Sequence, residues 1–365
     1  VGVRQSTLEG LVTMDLSFFN NKTVLVTGHT GFKGSWMARV LKMLGAKVVG
    51  YSLMPLNKPN LFELDGNRCV GTSIIADIRD IRALKDVFKT HEPEIVIHMA
   101  AQPLVLDSYR EPVYTYDVNV MGTVNILECA RHFEFVKSFV NVTTDKVYKN
   151  NEWVWGYRET DELNGYDPYS NSKSCSELVT SSYLRSFFHD KPCAISTVRA
   201  GNVIGGGDFA KNRIMPDCAR AAISGTPLKI RNPYSIRPYQ HVLEPICAYL
   251  LVAMRQYENK RAFEGQYNVA PRISDCVSTQ KLVELFKIHW DGKFEWEMQK
   301  DIKTEHEANY LRLDCSKITA VLGWLPKWDI DYAVKKTADW TKCYVDGADI
   351  GVIMQAQIEE YLAEQ

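Results

Sequence analysis

Residues 22–36, KTVLVTGHTGFKGSW, constrain this chain more than any other stretch. The β-branched run 22–27 predicts a strand, and a helix is expected from about Gly34 to Leu44. Between them Gly28, Gly31 and Gly34 are spaced Gly-x-x-Gly-x-x-Gly. Glycine permits a tight turn and a close backbone approach, and a helix N-terminus presents free N–H groups to a pyrophosphate. Three glycines after a strand also make a plain structural turn. A strand before them and a helix after them favour a dinucleotide site.

The same alternation continues. AKVVGYS (46–52), GTSIIAD (71–77), EIVIHMA (94–100), FVNVTT (139–144) and AISTVRA (194–200) read as strands. Helices are expected over 80–89, from Pro112 to about His132, and from about Pro168 to Phe188. Near-continuous Val/Ile runs suit strands buried on both faces, as in a parallel sheet with helices on each side. After Gly201 the alternation becomes irregular, with glycines clustered in GNVIGGGD (201–208) and prolines at 216, 227, 233, 238 and 245. The expected division is a first domain over 14–200 and a smaller second lobe that is mainly 201–365, with some later segments returning to the first.

Composition narrows the class. With 43 basic and 44 acidic residues among 365, there is no electrostatic case for a nucleic-acid partner. No apolar run reaches the ~18 residues of a membrane span. VGVRQSTLEGLVTMDL lacks the apolar core of a signal peptide, and the residues before Met14 are set aside as an upstream extension. The nine cysteines form no Cys-x-x-Cys pair and no zinc spacing with histidine, so no metal is expected and reduced thiols in the cytoplasm are.

The tip of the second strand, Tyr51-Ser52-Leu53-Met54, carries neither the acid that binds an adenosine ribose nor an Arg for a 2′-phosphate, which leaves NAD against NADP open. Asp77, at the end of the third strand, is placed either to meet the adenine edge or to cap the following helix. Tyr169 and Lys173 in YSNSK fall four apart, on one face of a helix. An ammonium near a phenol lowers its pKa, as does a nicotinamide cation, which makes Tyr169 a base for oxidising an alcohol. Thr143-Thr144-Asp145-Lys146 ends the fifth strand, at the sheet edge where open α/β folds bind ligands.

The glycine loop, strand-end Thr and Tyr-x-x-x-Lys together resemble the extended short-chain dehydrogenase/reductase family. TGHTGFKGSW, PEIVIHMAAQPLV, NVMGTVNILE, TTDKVYKN, EWVWGYRE, NGYDPYSNSK, RAGNVIGGGD, NPYSIRPYQHVLEP and LDCSK resemble its CDP-glucose 4,6-dehydratase branch, over residues 27–317. The resemblance implies a Rossmann-type doubly wound sheet with a smaller C-terminal α/β lobe that binds CDP-glucose. It implies NAD held by Gly28, Gly31, Phe32, Gly34, Asp77, Ile78, Ala100, Ala101, Gln102, Tyr169 and Lys173. It also implies an internal redox cycle. Tyr169 takes the 4-hydroxyl proton while C4 hydride goes to NAD, the C5 proton and the 6-hydroxyl leave, and hydride returns to C6.

In this scheme Thr144 bonds the 4-oxygen, Asp145 protonates the leaving hydroxyl, and Lys173 holds the nicotinamide ribose and tunes Tyr169. Many relatives have Glu where this chain has Lys146, which takes the C5 proton or steadies the enolate. Arg213 and Arg237 are expected at the substrate diphosphate or nucleotide, or else as exposed salt-bridge partners. Asn202 would add an amide donor there, and His306 would contact the nucleotide. Gln102-Pro103-Leu104-Val105-Leu106-Asp107-Ser108 departs from the common Gln-Pro-Leu-Val-Arg-Leu-Ser, next to the expected nicotinamide and sugar. A homodimer built from helices 112–132 and 168–188 and a place in deoxysugar synthesis for lipopolysaccharide O-antigen are also implied. An epimerase or decarboxylase on this scaffold would have no use for Asp145-Lys146. A non-catalytic dinucleotide sensor would not need Thr144, Tyr169 and Lys173 in register.

Overall fold

The computed structural model describes residues 15–55, 57–299 and 310–364. Seven strands form its main sheet: β1 (Thr23–Thr27), β2 (Lys47–Ser52), β3 (Thr72–Ile75), β4 (Ile95–His98), β5 (Ser138–Thr144), β6 (Ala194–Ala200) and β7 (Gly265–Val269). The spatial order is β7-β6-β5-β4-β1-β2-β3, and every pairing is parallel. The sequence reversal between β1 and β4 is the switch point of a doubly wound sheet, where the carboxyl ends of the strands open a crevice.

The helices are α1 (Phe32–Met43), α2 (Ile81–His91), α3 (Gly122–His132), α4 (Pro168–Phe187), α5 (Ile214–Ser224), α6 (Leu243–Glu258), α7 (Thr279–His289), α8 (Ile330–Val345) and α9 (Ile350–Ala363). Alternate strand residues feed two cores. Val24, Val26, Ile95, Ile97, Val140, Val142 and Val198 pack with Trp36, Leu41, Ile246 and Leu250 of α1 and α6. Leu25, Val96, Phe139 and Ile195 pack with Leu84, Phe88, Ile126 and Leu127 of α2 and α3. The period of two in the burial, with apolar side chains on both faces, is why these strands read as unbroken Val/Ile runs. A third core, with Met215, Leu228, Leu282, Phe286 and Val334, belongs to the second lobe.

The chain does not stay in that second lobe after Gly201. α6 covers the main sheet, and β7 pairs with β6 as its outermost strand. α9 returns too, since Met354, Ile358 and Tyr361 share the core of Trp36. Glu244, at the start of α6, anchors this return. Its carboxylate accepts the backbone N–H of Lys327 (3.0 Å) and Trp328 (2.7 Å) and the hydroxyl of Tyr361 (2.6 Å).

The helix expected over 112–132 is present and continuous, with a π-helical turn inside it. An α-helical turn at Pro112–Tyr116 passes into a π-helical turn at Asp117–Met121 before α3 begins. The nine cysteines are all unpaired, and among the described residues no cluster suits a metal and no helix is long and apolar enough to cross a membrane.

Candidate active site

All seven strands run the same way, so their carboxyl ends meet at one sheet edge. Thr27 ends β1 there. Its hydroxyl accepts the N–H groups of Met99 and Ala100, both at 3.1 Å, which ties the β4 exit to the β1 exit. Gly28 adopts φ +75°, and a Cβ on it would meet the Ala100 nitrogen at 2.9 Å. A Cβ on Gly34 would collide with the Gly28 carbonyl oxygen. Gly31 opens α1 without a capping side chain. The first-turn N–H groups therefore face outward from a loop too tight for side chains, which is the form of a phosphate cradle. Phe32 lies under Gly205, where a Cβ would meet its ring at 3.2 Å.

Asp77 stands beyond β3, and Arg79 pairs with it at 2.7 Å and holds its carboxyl below the usual range. The alternative role as helix cap is overturned. Asp80 caps α2, accepting the N–H groups of Arg82 (3.0 Å) and Ala83 (3.1 Å). Ile78 is buried against Gly122. Ala101 and Gln102 follow Ala100. Gln102 is fixed by its N–H to Asn119 Oδ1 (2.8 Å) and by its amide to Thr115 Oγ1 (2.9 Å). Asn119 is the centre of the π-helical turn and donates from Nδ2 to the Gln102 carbonyl (3.1 Å) and to Ser172 of α4 (2.9 Å). The extra residue in that turn is what aims the amide sideways into this network.

At the end of β5, Thr144 and Asp145 are buried. Thr144 Oγ1 donates to Asp145 Oδ1 at 3.0 Å. Lys146 Nζ donates to the same carboxylate oxygen at 3.2 Å and to Asn202 Oδ1 at 3.3 Å. The second carboxylate oxygen of Asp145 is buried without a partner. α4 starts at Asp167, whose side chain accepts the Ser170 N–H at 2.9 Å, and it sets Tyr169 in its first turn. Burial pushes the Tyr169 phenol up to about 12, opposed by a hydrogen bond with Thr144 and by the Arg213 guanidinium. Lys173 is buried one turn later and donates to the Val142 carbonyl at 3.0 Å. Burial brings its ammonium down to about 8, against the pull of Glu177. Glu177 is itself paired with buried Arg199 (2.9 Å).

Thr144, Asp145, Lys146, Tyr169 and Asn202 thus lie in one cluster. Arg213 joins it beside Tyr169 while also pairing with Asp208 at 3.0 Å. Arg237 is buried at the end of the two-residue strand Ile236–Arg237, and Gln240, which opens the next short strand, donates its N–H to the Asn202 carbonyl at 2.9 Å. Gly201 packs so closely on Pro238 that a Cβ would meet it at 2.7 Å, which sets Arg237 next to the Asn202 turn. His306 lies outside the described residues.

Two residues were not singled out from the sequence. Burial brings Lys33, in the first turn of α1, down to about 7, with Lys173, Arg213 and Lys146 pushing the same way and Asp145 opposing. Tyr249 of α6 is buried with its hydroxyl unpartnered, and the Lys33 ammonium sits 6.0 Å from its ring centre. A lysine where the helix dipole disfavours a cation was the available signal for the first. Nothing in the apolar run of α6 marked the second.

A carboxyl, an amine and a phenol in one cluster can move protons on neighbouring carbons of one molecule. The sequence pattern of the GDP-mannose 4,6 dehydratase family matches residues 25–337. The chain belongs to this dehydratase family. Among 4,6-dehydratases, the CDP-glucose 4,6-dehydratase of Salmonella typhimurium is 44% identical over 355 residues, covering 96% of this chain and 99% of the relative. A solved dTDP-glucose 4,6-dehydratase of Bacillus anthracis, in complex with NAD, superposes with a TM-score of 0.74 at 20% identity, covering 90% of this chain and 99% of the other. A UDP-glucose 4-epimerase of Thermotoga maritima gives 0.76 at 23%, covering 88% and 99%. At those identities the two structures show the fold alone, one that this dehydratase shares with epimerases.

Proposed function

We propose that this chain binds NAD and converts CDP-glucose to CDP-4-dehydro-6-deoxyglucose with loss of water. The observation that carries the reading is the buried Asp145 carboxyl in contact with Lys146, next to the Thr144–Tyr169 hydrogen bond. An epimerase needs the phenol and the lysine, but it has no work for an acid and a base directed at C5 and C6. The likeness to the Salmonella enzyme supports CDP-glucose as the substrate.

The residues fit the cofactor. A loop with no room for a Cβ at Gly28 or Gly34, an uncapped α1 and the Asp77 carboxylate suit a pyrophosphate and an adenosine. The chemistry that NAD supplies when bound is reversible storage of a hydride. Tyr169 takes the proton of the sugar 4-hydroxyl, and Thr144 holds the 4-oxygen. Arg213 stabilises the phenolate. Lys173 orients the nicotinamide ribose.

Elimination then needs a neutral Lys146 to take the C5 proton and a protonated Asp145 to release the 6-hydroxyl as water. The ammonium and the carboxylate 3.2 Å apart are related to that state by one proton passed from Lys146 to Asp145. The second oxygen of Asp145, buried without a protein partner, is assigned to the 6-hydroxyl. Arg237 serves the diphosphate side.

Incubation with CDP-glucose tests the reading. A 4-keto sugar, followed by its ultraviolet absorbance in alkali without net cofactor turnover, is the expected product. CDP-galactose without that chromophore would assign an epimerase instead.

Exposed Val113, Met121, Leu178 and Phe187 lie along the 112–132 and α4 segments. They support a homodimer closed by two such pairs of helices. Nine unpaired cysteines suit a reducing compartment, the cytoplasm.

A further inference from the structure

We infer that Asn202 is a positioning residue for Lys146: its side-chain oxygen fixes the amine that faces C5. The inference rests on the dehydratase reading above and deepens it.

Lys146 is a flexible four-carbon chain whose side chain is 31% exposed, whereas Lys173 is buried. Two acceptors define where its nitrogen sits, Asp145 Oδ1 at 3.2 Å and Asn202 Oδ1 at 3.3 Å. They come from different strands, one at the end of β5 and one just past β6, so they hold the nitrogen from two sides. Chemistry settles which end of the amide faces the lysine, because an ammonium only donates. The Asn202 backbone is held in turn by the Gln240 N–H at 2.9 Å and by the tight Gly201–Pro238 contact.

Asp145 cannot hold Lys146 alone through a turnover. Once Asp145 carries a proton, its pull on the amine weakens, and the neutral Asn202 carbonyl is the acceptor that does not change. The other charged or titratable groups gathered here are Lys33 from α1, Tyr169 and Lys173 from α4, and Arg213 ahead of α5. The anions beside them are Asp208 on Arg213, Glu177 near Lys173 and Asp167 near Tyr169, while Asp145 is the carboxylate that touches Lys146, so the amide at position 202 adds a second acceptor to that amine without adding a second negative charge.

The test compares wild type, Asn202→Ala and Asn202→Asp with CDP-glucose in deuterated water. It reads the burst of reduced cofactor for C4 oxidation, deuterium entry at C5, and KM. In Asn202→Ala, C5 exchange is expected to fall about a hundredfold more than C4 oxidation does, the scale of a misplaced reacting group. Asn202→Asp keeps an acceptor of the same size but adds a negative charge. C5 exchange is expected to recover in part, with its pH dependence displaced to higher pH because the ammonium is favoured. An alanine variant that raises KM while exchanging C5 at the wild-type rate overturns the inference and leaves Asn202 as a substrate ligand only. Equal loss of C4 oxidation and C5 exchange, with no recovery in Asn202→Asp, overturns it as well and marks a purely structural role. A wild-type protein that forms no 4-keto sugar overturns the dehydratase reading, and the inference with it.

Discussion

In the proposed mechanism Lys146 and Asp145 divide one proton between two tasks, and each task has its own isotope signature. In Lys146→Ala, deuterium entry at C5 should drop by about 10²–10⁴, the usual worth of a general base, with hydride removal from C4 still detectable. Exchange at the wild-type rate would show that Lys146 steadies the enolate or does nothing, and that another group takes the proton. Lys173 is a different kind of lysine. It is buried, bonded to a backbone carbonyl and backed by the Glu177–Arg199 pair, so its position is fixed by packing rather than by its partners at the reacting centre.

At the scale of elements, the β1–loop–α1 unit works through what it leaves out. Gly34→Ala forces a methyl group into the Gly28 carbonyl oxygen, so α1 must shift away from the loop. The expected result is a marked loss of NAD affinity, by titration calorimetry, with stability lowered by at least about 1 kcal/mol, the lower end for overpacking. Unchanged NAD binding would show that the cradle does not hold the pyrophosphate. This unit, the positions of the first six strands along the chain and the residues of the strand-end cluster were legible in the sequence, because each is a local pattern: a β-branched run, spaced glycines, a residue pair four apart.

What was not legible depends on contacts distant in sequence. A π-helical turn leaves the run helical from end to end, so the turn at Asp117–Met121 and the aim of Asn119 were invisible. The approach of Lys33 to the β5 exit depends on how α1 docks. That Asp80 rather than Asp77 caps α2 turned on a three-residue difference that two aspartates in ADIRD leave ambiguous.

For the whole molecule, the buried lysines set a pH signature. Lys173 falls from 10.5 to about 8 in the folded state. Between those values the unfolded chain holds a proton that the folded chain has lost, so unfolding free energy rises with pH across the interval. Below about 8 both states are protonated and the cost of the buried ammonium is fully present. Urea midpoints of the cofactor-free protein should therefore gain on those of Lys173→Met between about pH 7 and about pH 9.5. Parallel curves would show that the ammonium is better solvated than its burial implies. Sedimentation at micromolar concentration should give twice 41.6 kDa if the exposed residues of the 112–132 and α4 segments meet a second copy. A stable monomer would remove that interface.

The return of α6 and β7 to the first sheet has a consequence for anyone dissecting this protein. A fragment stopped after Ala200 would bare the outer flank of its last strand and strip the apolar cover that Ile246 and Leu250 provide. The dinucleotide half is thus not an excisable module, and grafting a foreign sugar-recognition half onto it demands several seams, with Glu244 and its three donors carried across intact.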